Sequence, residues 1–162
     1  MKNAWFFIAN PKKAKWEDIK KPYWKKHYGE YNWGIPNKSR DIKLLGQVEV
    51  DDLIICYVTG NKKIIGWCKC TLRRYSGDII KEKVDPNFIN RIGISEINHF
   101  KNPIKLDDLK NEAFHFIDEY LEIPLGRSIV EVSKNDWHKF KDKFCKHETI
   151  SPSSFSPASA KK

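Results

Sequence analysis

Long apolar runs are missing from this chain of 162 residues. None approaches the roughly 20 residues that a membrane-spanning helix needs. The first apolar run, Ala4–Ala9, is also too short for the core of a secretory signal. A cytoplasmic protein with no membrane partner is therefore expected. Cysteine is scarce, with four residues: Cys56, Cys68, Cys70 and Cys145. Cys68-Lys69-Cys70 is a C-x-C on a strand, so both sulfurs point to one face. Zinc sites use a C-x-x-C-type turn and a second ligand pair, and the histidines (His27, His99, His115, His138, His147) offer no such spacing. Buried free thiols are expected, with no metal and no cofactor. Catalytic signatures are absent as well: there is no P-loop, no nucleophile elbow and no H-E-x-x-H. The carboxylate pairs Asp51-Asp52 and Asp107-Asp108 are adjacent in sequence, so their members point apart and form no convergent dyad. An enzyme is not expected. No internal repeat is visible.

Acidic residues are outnumbered, 21 Asp and Glu against 30 Lys and Arg, for a formal charge of +9. That balance favours a polyanionic partner through long-range attraction and counterion release. A hydrophobic content of 40% with 31% charged residues fits a folded domain with one core. Residues 1–146 are read as that domain. Residues 147–162, rich in Ser, Pro, Ala and Lys, are read as a flexible tail or linker.

The stretch from Tyr31 to Thr71 organises the rest. Leu53–Thr59 and Ile64–Thr71 are β-branched, apolar segments around Gly60-Asn61, the pattern of a hairpin. Ahead of it, Trp33 stands directly before Gly34. An indole beside a backbone without a Cβ can present an open face to a flat ligand. The expected site is therefore the mouth of a small β-barrel that accepts one nucleobase, with Trp33 as a wall.

In chain order, residues 3–9 read as a buried strand containing Trp5, ended by Asn10-Pro11. Residues 12–28 interleave Lys12, Lys13, Lys15, Lys20, Lys21, Lys25 and Lys26 with Trp16, Tyr23, Trp24 and Tyr28. This is the composition of a surface that tracks a phosphate backbone and stacks bases, with Lys12, Lys13, Lys20, Lys25 and Lys26 as phosphate ligands. The same pattern also suits a solvated short helix whose Trp16 packs on the barrel. Residues 34–47 read as a polar loop leading to Ile42, Leu44 and Leu45. Arg73 and Arg74 beside Tyr75 either grip phosphate while Tyr75 stacks a base, or form a twisted strand end. Asn90–Ile97 reads as a strand with a bulge near its end. A helix opens at Pro103 and carries Leu106, Leu109, Ala113, Phe116, Ile117 and Tyr120 at helical spacing. Residues 126–132 read as a last strand. Ser133 caps a final helix with Asp136 at its third position and a Trp137, Phe140, Phe144 stripe. The composite is an α+β fold: a mixed β-barrel of about five to six strands flanked by helices.

These residues resemble the EVE domain. The resemblance is carried by F-F-I-A-N-P at residues 6–11 with Trp16 behind it, and by N-W-G at 32–34. V-D-D-L-I-I-C-Y-V-T-G, I-I-G-W, N-R-I-G-I, P-I-K-L-D-D-L and S-K-N-D-W follow in order. It spans about residues 3–144 and places the chain in the PUA-like superfamily, near YTH domains. It implies a barrel that binds nucleic acid and holds one flipped, modified base in an aromatic cage. The base is N6-methyladenine in the YTH relatives, whose implied partner is RNA. EVE-like domains also occur at the N-terminus of McrB-type restriction proteins that read modified DNA, which implies a fused or associated nuclease or NTPase. By position, the resemblance makes Trp33 the first cage aromatic and Asn10 a polar contact to the base edge. Gly34 and Ile35 bring backbone groups near the base, and Phe88 or Tyr75 forms the second wall. One departure is visible: the family commonly has Gly-Asp where this chain has Asp51-Asp52. A protein-binding adaptor is the competing reading, distinguished by a lack of salt-sensitive nucleic-acid binding.

Overall fold

The computed structural model describes residues 3–9, 31–60, 62–76, 86–122, 127–145 and 149–150. Among these, eight strands form one mixed sheet: β1 (Ala4–Ala9), β2 (Tyr31–Ile35), β3 (Leu53–Val58), β4 (Lys63–Ser76), β5 (Asn90–Ile94), β6 (Asn98–Lys105), β7 (Ile129–Val132) and β8 (Thr149–Ile150). The ladder runs β2-β5-β4-β3-β1-β7, with β6 added on β4 and β8 on β6. β1 is parallel to β3 and antiparallel to β7, and the remaining pairs are antiparallel. The helices are α1 (Ser39–Leu45), α2 (Leu106–Leu109), α3 (His115–Glu122) and α4 (Lys134–Phe140). This is an α+β fold.

Alternation along β1 divides the interior in two. Trp5, Phe7 and Ala9 join Trp33, Ile35, Ile54, Cys56, Cys68, Cys70, Ile92, Ile94 and Ile129 in one buried cluster. Ala4, Phe6 and Ile8 face the other way, onto helices α2–α4. There Phe6 packs 5.1 Å from Phe116 and 5.3 Å from Tyr57, ring centre to ring centre. Burial of each such side chain contributes about 1.5–3 kcal/mol. Helix α1 touches β7 at one end of the strand order and β2 and β5 at the other, so it spans the seam the ladder leaves open.

The elements differ from the sequence expectation in four places. Residues 39–45 form a helix within the expected loop, because Asp41 and Leu45, four apart, are both buried on its inner side. The helix expected from Pro103 begins only at Leu106. Residues 98–105 instead pair with β4, and Pro103, which lacks a donor, lies where that ladder slips register between Ile64 and Gly66. Gly66 permits the close approach, since a Cβ there would lie 2.3 Å from the Asn98 carbonyl oxygen. The same helix is broken again by Ala113, whose φ of 58° is left-handed. Finally, Thr149–Ile150, inside the expected tail, pair with His99 and Phe100 of β6.

Other features follow the sequence. The hairpin is β3–β4, with Tyr57 opposite Ile64. Ser133 caps α4 by accepting from the Asp136 N–H at 3.1 Å. The Asp136 carboxylate does not close a capping box; it accepts from the Phe116 N–H of α3 at 3.0 Å. Trp5 and Trp137 are buried, as are Cys56, Cys68 and Cys70. No helix among the described residues is long and apolar enough to cross a membrane.

Candidate nucleic-acid interface

β2 carries the organising pair. Trp33 sits at its centre opposite Ile92 of β5. Its ring lies edge-on to Phe7, 5.5 Å centre to centre, and only 3% of the residue is exposed. The indole is therefore turned into the strand-lined cluster rather than left open beside Gly34. Gly34 has a different neighbour. A Cβ there would lie 2.2 Å from Arg91 Nη1, 2.8 Å from Arg91 Cζ and 2.9 Å from the Phe88 carbonyl oxygen. The room left by the missing side chain is filled by a guanidinium.

Register explains how Arg91 reaches that point. Arg91 of β5 lies opposite Gly34 on one side and Tyr75 of β4 on the other. Directly paired residues share a face, so Gly34, Arg91 and Tyr75 form a row across three strands, away from the Trp33 ring. Asn32, two residues before Gly34, is on the same face. Arg91 Nε donates to Asn32 Oδ1, and its Nη1 donates to the Phe88 carbonyl at 2.9 Å. Arg91 is 8% exposed and Asn32 is fully buried. Because the Asn32 oxygen is committed to Arg91, its Nδ2 faces away and finds no hydrogen-bond partner among the described residues. A buried donor left in that state costs about 1–3 kcal/mol. The 3₁₀ turn Pro86–Phe88 is also held by the Asn37 N–H, which donates to the Asn87 carbonyl at 3.1 Å.

The structure thus brings Gly34, the Phe88 backbone and Tyr75 together around Arg91, and sends Trp33 and Ile35 into the opposite cluster. Arg73 and Arg74 lie on the long strand β4, so the twisted strand end is the alternative that holds for their backbone. Both are exposed. Arg73 Nη2 donates to the Gly46 carbonyl at 3.4 Å, while Arg74 Nε and Nη2 donate to Asn90 Oδ1 at 3.3 and 3.0 Å. Asn10, Lys12, Lys13, Trp16, Lys20, Lys25 and Lys26 lie outside the described residues. Sequence reasoning missed Asn32 and Arg91. The available signal was an arginine inside the otherwise apolar strand N-R-I-G-I.

A separate cavity of about 510 Å³ opens between α1, α3 and β7, with Arg40, Lys43 and Arg127 facing Glu119 and Glu131. None of the expected site residues lines it. Beneath it, Asp41 accepts from the Ser128 N–H at 3.2 Å and lies 3.6 Å from Arg127 Nε. Burial pushes its carboxyl above the usual range, and the Ser128 and Arg127 contacts oppose that rise. Of the carboxylate pairs, Asp52 is buried while Asp51 is exposed, and Asp107 and Asp108 are both exposed. Among the described residues, no group of three His, Cys, Asp or Glu side chains has metal-binding geometry.

A family model described as the EVE domain matches residues 3–142. No curated protein matches the chain in sequence. Several solved structures share the fold. A protein from Agrobacterium tumefaciens superposes with a TM-score of 0.64 at 14% identity, covering 92% of this chain and 99% of that one. Human THYN1 in complex with 5-methylcytosine-containing DNA gives 0.62 at 14%, covering 87% and 96%. The Mmi1 YTH domain gives 0.53 at 11%, covering 88% and 87%.

Proposed function

The chain belongs to the EVE domain family, and we propose on that basis that it binds nucleic acid without catalysis and reads a single modified base drawn out of the strand. The observation that carries this reading is the family match over residues 3–142; within it Trp33, on β2, is our candidate for the first cage aromatic. Modified cytosine in DNA is the leading ligand, because a THYN1 complex with 5-methylcytosine DNA shares the fold. N6-methyladenine in RNA is the second reading, supported by the likeness to a YTH domain. Service as the recognition module of a modification-dependent restriction system, joined to a nuclease or NTPase, belongs to the same proposal.

Energetics assign the parts. Extruding a base costs a few kcal/mol of stacking and pairing. Stacking returns roughly 1–3 kcal/mol per aromatic contact. The two nearly cancel, so net affinity comes from phosphate contacts by Lys12, Lys13, Lys20, Lys25 and Lys26, with Arg73 and Arg74 exposed on β4. Burying one methyl group adds only about 0.8 kcal/mol, a preference of about fourfold. Hydrogen bonds that fail with the wrong base must supply any larger selectivity, with Asn10 as the proposed contact. Trp33, 3% exposed, receives a base only after the side chains over its ring move aside. Base binding is thereby coupled to local opening, and to a change in the indole environment.

The test is a binding screen over oligonucleotides carrying 5-methylcytosine, 5-hydroxymethylcytosine or N6-methyladenine, in DNA and RNA, each against its unmodified twin and across a salt series. The proposal expects one modified base to stand out over binding that weakens steeply with salt. Equal affinity for every modified and unmodified pair contradicts it.

A further inference from the structure

The cavity between α1, α3 and β7 holds none of the residues proposed for base or phosphate reading, yet a buried cation lines it. The Arg127 side chain is only 7% exposed. Its Nε donates to the Ile129 carbonyl at 3.1 Å and lies 3.6 Å from Asp41 Oδ1. Its Nη1 has no hydrogen-bond partner among the described residues. A buried guanidinium with an idle arm calls for an explanation, because the unmet donor carries a desolvation cost. Burial, and next the like charge of Arg40, hold Arg127 below the ordinary arginine range, while Asp41 and Glu119 oppose them. Arg40 and Lys43, three apart on α1, line the same space. Neither is in an ion pair among the described residues. Three cations thus meet at one cavity, and Asp41 offsets only part of their charge. A phosphate dianion answers such a set more fully than a singly charged carboxylate, and its oxygens suit the planar fork of an arginine. Glu119 of α3 and Glu131 of β7 also line the cavity. They repel a polyanionic strand, but they accept hydrogen bonds from a compact ligand that carries donors. A volume of about 510 Å³ is that of a small-molecule site.

We infer that this cavity is a second binding site, for a small organic phosphate that carries an amino group. Arg127, Arg40 and Lys43 take the phosphate, and Glu119 and Glu131 take the amine. A free nucleotide with an amino-bearing base has this chemistry, since a carboxylate side chain accepts from the cytosine N4 amine. The site is separate from the proposed base slot and does not depend on it.

The test is calorimetric titration of the full chain at low salt with cytidine monophosphate, uridine monophosphate and inorganic phosphate. The parent is expected to bind cytidine monophosphate about tenfold more tightly than either of the others, because uracil has a carbonyl where cytosine has the amine. Arg40→Ala, at an exposed position, is expected to weaken both nucleotides about tenfold. Arg127→Lys is expected to do the same, since a point charge does not replace the fork; if it shows no cooperative urea transition, Arg40→Ala decides. Glu119→Ala combined with Glu131→Ala is expected to abolish the preference for cytidine while tightening uridine monophosphate, because two negative charges near the phosphate are gone. A parent that binds none of the three probes at millimolar concentration, or folded variants that bind as the parent does, overturns the site. Equal parent affinity for the two nucleotides overturns the role of the glutamates, and with it the ligand class. A saturating unmodified single-stranded oligonucleotide is expected to leave nucleotide binding unchanged. Competition would place the phosphate contact on the strand-binding surface and overturn a separate site.

Discussion

The Asp52 carboxylate accepts the indole N–H of Trp5 at 3.0 Å, although the two residues lie 47 positions apart. It also accepts from the backbone N–H groups of Asn3 at 3.1 Å and Glu49 at 2.9 Å. One buried carboxylate therefore ties the first strand to the turn before β3.

Asp52→Asn keeps the shape but turns a donor toward this set of donors. With a charge-assisted bond lost and a buried group unsatisfied, it should lower stability by about 3 kcal/mol. Urea unfolding measures this. A double-mutant cycle with Trp5→Phe should show clear coupling, and additive losses would mean that the indole bond contributes nothing.

The neighbouring residue predicts the opposite sign. Asp51 has a φ of 74°, in the left-handed region. Asp51→Gly relieves backbone strain of about 1 kcal/mol, partly offset by the greater freedom of glycine in the unfolded chain. The urea midpoint should rise by the equivalent of about 0.5 kcal/mol with an unchanged slope; a fall would show that the turn prefers the aspartate.

How much of this was legible in the sequence depends on whether the signal was local. The β3–β4 hairpin, the Ser133 cap and the buried faces of β1 were readable because period-two alternation and capping act over a few residues. The helix 39–45 was not, since Asp41 is polar in sequence and becomes an inward residue only through Arg127 and Ser128, far along the chain. β6 was hidden by Pro103, which reads as a helix start until a partner strand with a register shift is supplied. At the candidate site, Trp33 was conspicuous, but the direction of its ring was not. That direction depends on which face of β2 meets Phe7, a partner more than twenty residues away. Arg91 was missed for the same reason: its contacts with Asn32 and Gly34 exist only in the β2–β5 register.

Thiol chemistry gives a pH prediction. Burial pushes the Cys70 thiol up to about 12, and does the same to Cys145. At pH 8 the folded protein should react with a thiol reagent at the fully buried Cys70 only as fast as it opens, with full reactivity in denaturant, whereas the half-buried Cys145 reacts sooner. Because the folded state holds these protons more tightly than the unfolded state, stability should decline as pH is raised past about 9, the ordinary thiol value. Rapid modification of Cys70 at pH 8 without loss of folding would contradict its enclosure.

The most direct measurement is a titration of the parent and Trp33→Ala with a 5-methylcytosine or N6-methyladenine oligonucleotide and its unmodified twin, at fixed low salt. If Trp33 is a wall of the base slot, the parent prefers the modified strand, and Trp33→Ala keeps weak, salt-sensitive binding while its preference collapses to about one. If folded Trp33→Ala keeps the parent's preference, the base does not stack on Trp33, and the buried ring serves the barrel core alone.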